Sequence, residues 1–594
     1  MAGLAMLFIS RDAIAAWKMG DPDDQMRMIQ VRDWIAGQSW WDIRQYRMNA
    51  PHGGDMHWSR LVDVPLGAFI VLLTPFLGQP LAEQTTAAIV PLLTMGVIMA
   101  FYAAAARQMF GVVIALVATC LLIMIIPFTQ QLVPMRIDHH GWQLACFAAA
   151  LSALFDRKAR FRSAVVLGLA CALWIEISAE GLPFAALLLG LSALAWVFPR
   201  LAPHSNSKGL YFPIAMTSAA LGTGGFFAIT ESLASSNFCD ALSPVHIAAL
   251  SAMALVIIAA AALQKRAPIL DNVYFRLAMG GGAALSGIAA LALLAPQCAA
   301  DAFAGLDPLV LEYWFARVPE GLPLWAVRLD LAIQQSAYML AGSLALVFLS
   351  ISNRQLTVAD KIRLALLFYG AVSIGAWVSR TAVYAMMLGN IFLAVILVQL
   401  FVAAERRNYL LLRMALRIGA IFLAMPALSA QFLINRVNAA EAKADPVSNR
   451  FNRNFETQAR WCQKSSSVSA LERLPKANIM AGLDSSPAIL QFTRHTVVAS
   501  GHHRNQAAMA DIIRTFTGSA AGAARIIRAR NLHYIIVCDG SFELALYAAK
   551  APSGFLSQLR AGHIPGWLKA KPDIGPFKIY EVQASALLRA NTAS

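Results

Sequence analysis

From residue 85 to residue 431 the chain repeats one pattern: a long apolar stretch, a short polar connection, then another apolar stretch. Such stretches fall near 85–106, 109–128, 142–155, 163–178, 182–198, 212–230, 245–263, 274–296, 331–351, 363–378, 382–402 and 412–431. Several approach the ~20 residues needed to cross a hydrocarbon core. Lipid offers no partner to a backbone N–H or C=O, so segments of this kind must be helices. Composition agrees, with 58% of residues hydrophobic and 14% charged. The expectation is a polytopic α-helical membrane bundle of about 12–13 spans, and not a large soluble enzyme.

The formal net charge is +15, but its distribution matters more than its size. In the apolar part, Lys and Arg gather in alternate short loops: Arg107; Arg157, Lys158, Arg160 and Arg162; Arg200 and Lys208; Lys265 and Arg266; Arg354, Lys361 and Arg363; Arg406, Arg407 and Arg413. The loops between them, 129–141, 179–183, 231–244 and 297–330, are poorer in basic residues. The positive-inside bias makes the basic set cytoplasmic and puts 129–141, with everything after 431, on the outer side. Charge placed this way calls for no nucleic-acid partner. Residues 62–80 disturb the alternation. Pro65, Pro75 and Pro80 and their modest length favour a segment that dips into the interface without crossing, which keeps the acidic residues 21–24 on the same side as Asp138. Residues 2–9 are apolar but are followed by Arg11 and Asp12; they read less as a signal peptide than as a short, snorkelling helix or, the favoured reading, the remnant of a span that starts upstream.

After residue 431 the composition turns polar and no span follows. Apolar runs at 477–482, 495–499, 532–538 and 577–583 read as strands, and 505–515 and 519–529 as helices. Two units are expected: a membrane part, 1–431, with a long first external loop at about 18–62, and a small extracytoplasmic α/β domain, 432–594. The loop carries Trp34, Trp40, Trp41 and Trp58, and Met26, Ile29, Val31, Trp34 and Ile35 follow helical spacing, as in an amphipathic helix lying on a bilayer. Of the seven cysteines, none forms a CxxC pair. Cys120, Cys146 and Cys171 fall in apolar stretches as packing residues. Cys239 and Cys298 fall in external loops and Cys462 and Cys538 in the external domain, where an oxidising compartment permits a disulfide within each pair.

Ionisable residues beside lipid are costly and mark functional sites. Residues 136–143 read Arg-Ile-Asp-His-His-Gly-Trp-Gln between two apolar stretches, and Asp138 with His139 and His140 could hold a divalent cation. Asp21, Asp23, Asp24 and Glu320 lie on loops assigned to the same face. Carboxylates with imidazole suit Mg²⁺ or Mn²⁺. Such an ion neutralises a leaving phosphate, while a neighbouring carboxylate can take a proton from a nucleophile. Elsewhere, Gly501-His502-His503-Arg504-Asn505 reads as a polar turn that could contact metal or phosphate; Glu176 could line the bundle interior and Glu180 sit at the interface; Gly222–Gly225 and Gly280–Gly282 read as helix-packing positions.

Three patterns recur in a familiar order. Asp21-Pro22 followed by Arg27 resembles the D-P-x-x-x-x-R opening of the first external loop of oligosaccharyltransferase catalytic subunits. Ile137-Asp138-His139-His140-Gly141-Trp142-Gln143 resembles their F-D-x-[DE]-x-x-N motif, and Val318-Pro319-Glu320-Gly321-Leu322-Pro323 their V-x-E-x-x-P segment. The membrane part is thus similar to GT-C glycosyltransferases, which take sugars from polyprenyl-phosphate or polyprenyl-diphosphate donors. The resemblance implies metal-assisted transfer at the outer face of a bacterial inner membrane, with the C-terminal domain periplasmic, to a lipid, polysaccharide or protein acceptor. It implies that Asp21 or Asp24 handles acceptor and metal, that Asp138 ligates metal, and that Glu320 orients acceptor or binds metal. His140 stands where the family carries a second acid. Arg380 follows a span at the outer face and could pair with lipid phosphate, or snorkel to the interface as an ordinary Arg. The family's W-W-D-Y-G motif is absent after residue 431, which argues against transfer to protein asparagine. Two other classes remain: a transporter or flippase of lipid-linked saccharides, which needs ionisable residues at mid-membrane, and a non-catalytic envelope assembly protein.

Overall fold

The computed structural model describes residues 2–201, 209–230, 239–300, 305–318, 321–353, 356–444 and 462–589. Among them, seven helices are long and apolar enough to cross a membrane: Gln79–Phe110, Ala179–Val197, Tyr211–Thr230, Pro244–Arg266, Val273–Leu294, Leu329–Ser352 and Ser379–Glu405. The bent pair Leu410–Ala424 and Ser429–Ala439 would make an eighth. By length and composition this is fewer than the 12–13 expected. Stretches 109–128, 142–155 and 163–178 form helices Val112–Leu122, His140–Leu154 and Phe161–Ile177 of only 11, 15 and 17 residues. At ~1.5 Å per residue none of them reaches the ~30 Å of a bilayer core. Gly111, at φ +93°, breaks the first of these from the helix before it.

Helix Asp63–Leu77 is also short, at 15 residues. At its start Asp63 pairs with Arg27, and just beyond its end Glu83 pairs with Arg32, at 2.9 and 2.7 Å. Both arginines belong to helix Pro22–Ile35. The two flanks of the segment therefore both pair with one short helix.

Close helix crossings use small residues. Where Leu329–Ser352 meets Ala382–Glu405, a Cβ on Gly342 would lie 2.8 Å from the Cα of Gly389 and 2.9 Å from the Phe368 ring. Gly342→Leu is expected to force the two helices apart and cost at least the ~1–3 kcal/mol of an overpacked core. A lowered thermal midpoint in detergent checks this, and an unchanged midpoint would contradict it.

The C-terminal part holds a five-stranded mixed sheet: β1 Asn478–Met480, β2 Thr496–Val497, β3 Tyr534–Cys538, β4 Leu568–Ile574 and β5 Phe577–Val582. The spatial order is β2-β1-β3-β5-β4, parallel across β2, β1 and β3, with β5 and β4 antiparallel. Four of these strands match apolar runs. β4 does not, because Lys569, Lys571 and Asp573 make it a polar edge strand, the usual way an exposed edge avoids pairing with another chain. Disulfides join Cys462 to Cys538 and Cys239 to Cys298.

The sheet is covered from outside its own segment. One face packs on Met26, Ile29, Met48, Met56 and Trp58 of the first loop, the other on Val310. Helix Pro22–Ile35 is accordingly not a surface amphipath: every residue from Asp24 to Val31 is buried. A helix buried all round is a core element. Beyond it, Met48 bridges to Val497 at the β2 edge, and Asp55 and Asn505 exchange hydrogen bonds, both of 2.9 Å.

Candidate functional site

Helix Pro22–Ile35 opens with Asp-Pro-Asp-Asp, which states its own start. Asp21 is the N-cap, Pro22 sits where its missing N–H is harmless, and Asp24 closes a capping box. Asp21 Oδ1 accepts from the amides of Asp23 and Asp24 at 2.8 and 3.2 Å. Asp24 accepts from the Asp21 amide at 3.0 Å and also reaches across to the second loop. Its oxygens accept from the amides of Ile137 and Asp138 at 2.8 and 2.9 Å, and from Arg136 at 2.9 Å. Arg136 pairs with Asp21 as well. Gly20 permits this approach, since a Cβ there would come within 2.9 Å of Arg136 Cδ. The two acidic patterns of the sequence are thus joined by direct hydrogen bonds.

Asp138 is buried at the centre. Its Oδ1 lies 2.6 Å from His139 Nδ1 and 3.7 Å from Arg27 Nη2; its Oδ2 lies 3.3 Å from His140 Nε2 and 4.0 Å from Arg136 Nη2. Burial pushes its pKa up, but His139, His140 and Arg136 together outweigh burial and hold the carboxyl well below the usual range. Asp24 moves the other way: burial, then the charge of Asp138, raise it well above that range. Burial and pairing thus push the two neighbouring carboxyls in opposite directions, Asp138 down and Asp24 up.

Arg27 underlies the cluster. It is fully buried, donates to Asp63 at 2.9 Å and to the Ser59 carbonyl at 3.3 Å, and stacks 4.5 Å from the Trp58 ring. Arg60 completes the pairing of Asp63 at 3.3 Å. Sequence reasoning noted Arg27 only as a pattern member and gave Arg60, Asp63 and Arg136 no role. Their signal was charge beside apolar runs, where charge is costly.

Asp138, His139 and His140 bring one ligand atom each within 4.8 Å of one another. Asp138 Oδ2 is buried and makes no hydrogen bond, and an orphaned buried carboxylate oxygen beside two imidazoles fits a cation. Two imidazoles and a carboxylate suit Zn²⁺ or Mn²⁺ better than Mg²⁺. Asp24, expected among the ligands, has both oxygens engaged by amides and Arg136, so it positions the Asp138 loop.

Arg380 pairs with Glu180 and stands close enough to His140 for its charge to act on that imidazole. Both Glu180 and Arg380 lie in single 3-10 turns, Ala179–Gly181 and Ser379–Thr381, that open spans. Glu176 accepts from Ser59 Oγ at 2.8 Å. Glu320 lies outside the described residues. His502 is buried 4.8 Å from the Trp58 ring, its Nε2 3.8 Å from Asp23, and burial holds its pKa down at about 3.

A cavity of about 300 Å³ adjoins the cluster, with Asp21, Asp23, Trp314, Arg317, Asp484 and Tyr547 among its lining. On its wall Glu543 accepts from the amides of Leu483 and Asp484 at 2.8 and 3.0 Å and from Tyr547 Oη at 2.6 Å. Burial, then the neighbouring Asp484, nonetheless push Glu543 up to about 7. An unfolded Glu titrates near ~4.3, so between those values the folded state holds the extra proton. Stability should therefore fall as pH rises from ~4.3 to ~7 and level off above, by on the order of 3–4 kcal/mol. Thermal melts across that range should show the fall in the wild type and a flatter profile in Glu543→Gln. Parallel profiles would refute the assignment.

No family model matches this sequence, and no curated protein does. Solved structures do. The archaeal oligosaccharyltransferase AglB from Archaeoglobus fulgidus, in complex with an inhibitory peptide and a dolichol-phosphate, is similar with a TM-score of 0.61 at 15% identity, over 98% of this chain and 74% of that one. The apo form of the Archaeoglobus fulgidus oligosaccharyltransferase gives 0.64 at 14% identity, over 92% and 71%. Its complex with Zn and sulfate gives 0.59 at 14%, over 95% and 69%. The fold is GT-C-like. At this identity the likeness speaks for the fold, and the roles of individual residues rest on their geometry. In this GT-C-like fold Asp21, Asp24, Asp138 and His140 are assembled at one end of the bundle, with Arg380 alongside.

Proposed function

We propose that the chain is a membrane glycosyltransferase that moves a sugar or oligosaccharide from a polyprenyl-phosphate or polyprenyl-diphosphate donor to an acceptor at the outer face of a bacterial inner membrane, its C-terminal domain periplasmic. Asp138 carries the reading: a buried, ionised carboxylate with an unbonded oxygen, framed by two imidazoles and by Arg27 and Arg136. The likeness to a fold solved with a dolichol-phosphate, and with Zn and sulfate, supports it.

A divalent cation held by Asp138, His139 and His140 would neutralise charge on the leaving phosphate. The chain's own groups do the rest. Asp24 and Arg136 fix the Asp138 loop, and Arg380 offers a guanidinium to phosphate oxygens. Asp21 faces both the cavity and the cluster. As an acceptor oxygen or nitrogen bonds to the anomeric carbon, its proton passes to Asp21 Oδ2, which gives up its pairing with Arg136 to take it. The bond from that carbon to the phosphate oxygen breaks, and the electron pair leaves with the polyprenyl phosphate. Attack opposite the leaving group inverts the anomeric centre. Glu320 keeps its acceptor-orienting role on the sequence pattern alone. The cavity joins aromatic and acidic groups, and the missing W-W-D-Y-G motif favours a lipid, a polysaccharide or a protein site other than an Asn sequon as acceptor.

A transporter would carry charge along a path at mid-membrane. In the seven candidate spans every Asp, Glu, Lys, Arg and His falls within five residues of one end. The deciding experiment offers the purified protein a labelled polyprenyl-linked sugar in detergent, with an envelope lipid or polysaccharide acceptor, and follows loss of sugar from the lipid. A donor left intact but translocated across proteoliposomes would overturn the enzyme reading.

A further inference from the structure

A second cluster lies where the C-terminal domain meets the membrane part. His57 comes from the first loop, Asp240 from the segment before helix Pro244–Arg266, and His503 from the turn His503–Asn505 of the C-terminal domain. Their ligand atoms lie within 4.8 Å of one another. His503 Nε2 is 2.7 Å from Asp240 Oδ2, and the His57 and His503 rings are 4.7 Å apart. Arg504 grips the same carboxylate through Nε at 3.1 Å and Nη2 at 3.2 Å. His503 and Asp240 side chains are only 16% and 11% exposed.

A salt-bridge network of Asp240, His503 and Arg504 would hold the domain by itself. It gives no reason for His57. That imidazole is packed against His503 with Nδ1 buried and without a hydrogen bond. Burying an unsatisfied ring nitrogen costs free energy unless something binds it. A nitrogen of this ring, one of a second imidazole and a carboxylate oxygen, all within 4.8 Å of one another, make a two-nitrogen, one-oxygen set, which suits Zn²⁺ and leaves a fourth position for water. Arg504 then serves as the outer partner that fixes the carboxylate, as ligating carboxylates usually require. Cys239, the residue before Asp240, is tied to Cys298, which anchors that arm of the site.

We propose that His57, Asp240 and His503 form a second divalent-cation site of the zinc class, which clips the C-terminal domain onto the first loop and the bundle. The site is separate from Asp138: His502 and Trp58 stand between, with His57–His502 rings 6.5 Å apart and Trp58–His139 rings 6.2 Å apart. Binding of an ion to ligands drawn from three segments stabilises their folded arrangement.

The test uses full-length protein in detergent, stripped with chelator and titrated with Zn²⁺, with Co²⁺ as a spectroscopic substitute. Asp138→Asn is the background, so the candidate catalytic site does not contribute. In that background, about one equivalent should remain bound, a tetrahedral Co²⁺ absorption should appear, and Zn²⁺ should raise the thermal midpoint. Adding His57→Phe, which keeps a ring in place, should weaken binding at least about tenfold and abolish both the absorption and the thermal shift. His503→Asn provides the same loss if the Phe variant fails to fold. Equal metal content and equal thermal shifts with and without His57 would overturn the proposal. If Asp138→Asn loses no metal relative to wild type while His57→Phe does, the clip stands and the cation at Asp138 falls.

Discussion

Asp138→Asn should cut sugar transfer by roughly 10²–10³-fold while the protein remains folded. The substitution keeps size and removes a buried carboxylate with an unbonded oxygen, so a cation loses its only anionic ligand in the His139–His140 cluster. The surrounding charges explain why the loss is large. Arg27 and Arg136 stand 3.7 and 4.0 Å from this carboxylate, and with it neutral they repel the cation. Stability should change less, because Asp24 still holds the loop through the amides of Ile137 and Asp138. Initial rates with a polyprenyl-linked donor, beside thermal melts, separate the two effects. Transfer within about threefold of wild type would remove Asp138 from the reaction.

Arg27→Met should be the most damaging single change to folding. Arg27 and Asp63 are both completely buried, and Arg27 is also the nearest guanidinium to Asp138. Truncating it leaves Asp63 to Arg60 alone and strips cation–π support from Trp58. Breaking a buried pair from one side costs about 3–5 kcal/mol, because the partner's charge stays behind without compensation. Combining Arg27→Met with Asp63→Leu should recover part of that loss, since both buried charges are then gone. The readout is the yield of monodisperse protein and its melting midpoint. A single variant as stable as wild type would show that this pair does not hold the first loop.

The site was legible in outline for a local reason. Asp21-Pro22-Asp23-Asp24 announces a helix start, and an acid with two histidines between apolar stretches announces a cost that must serve something. What each acid does was not legible. Asp24 meets Ile137 and Asp138 across more than a hundred positions of sequence, and no local rule relates those positions. The same limit applies to the first loop. Its tryptophans and helical spacing fit a bilayer-surface helix, yet Met26, Ile29 and Trp58 pack beneath the sheet of the C-terminal part.

By itself the sequence determined a helical membrane bundle, four of the five strands beyond it, and the residue types gathered at the site. Run length, periodicity and the cost of charge near lipid are properties of a segment and its immediate neighbours. Only the tertiary structure decided how many helices are long enough to cross, that the first loop completes the core of the C-terminal domain, and that Asp138 keeps an oxygen unbonded while Asp24 does not. Those outcomes depend on which distant groups share a buried volume, because burial and pairing are settled between segments and not within them.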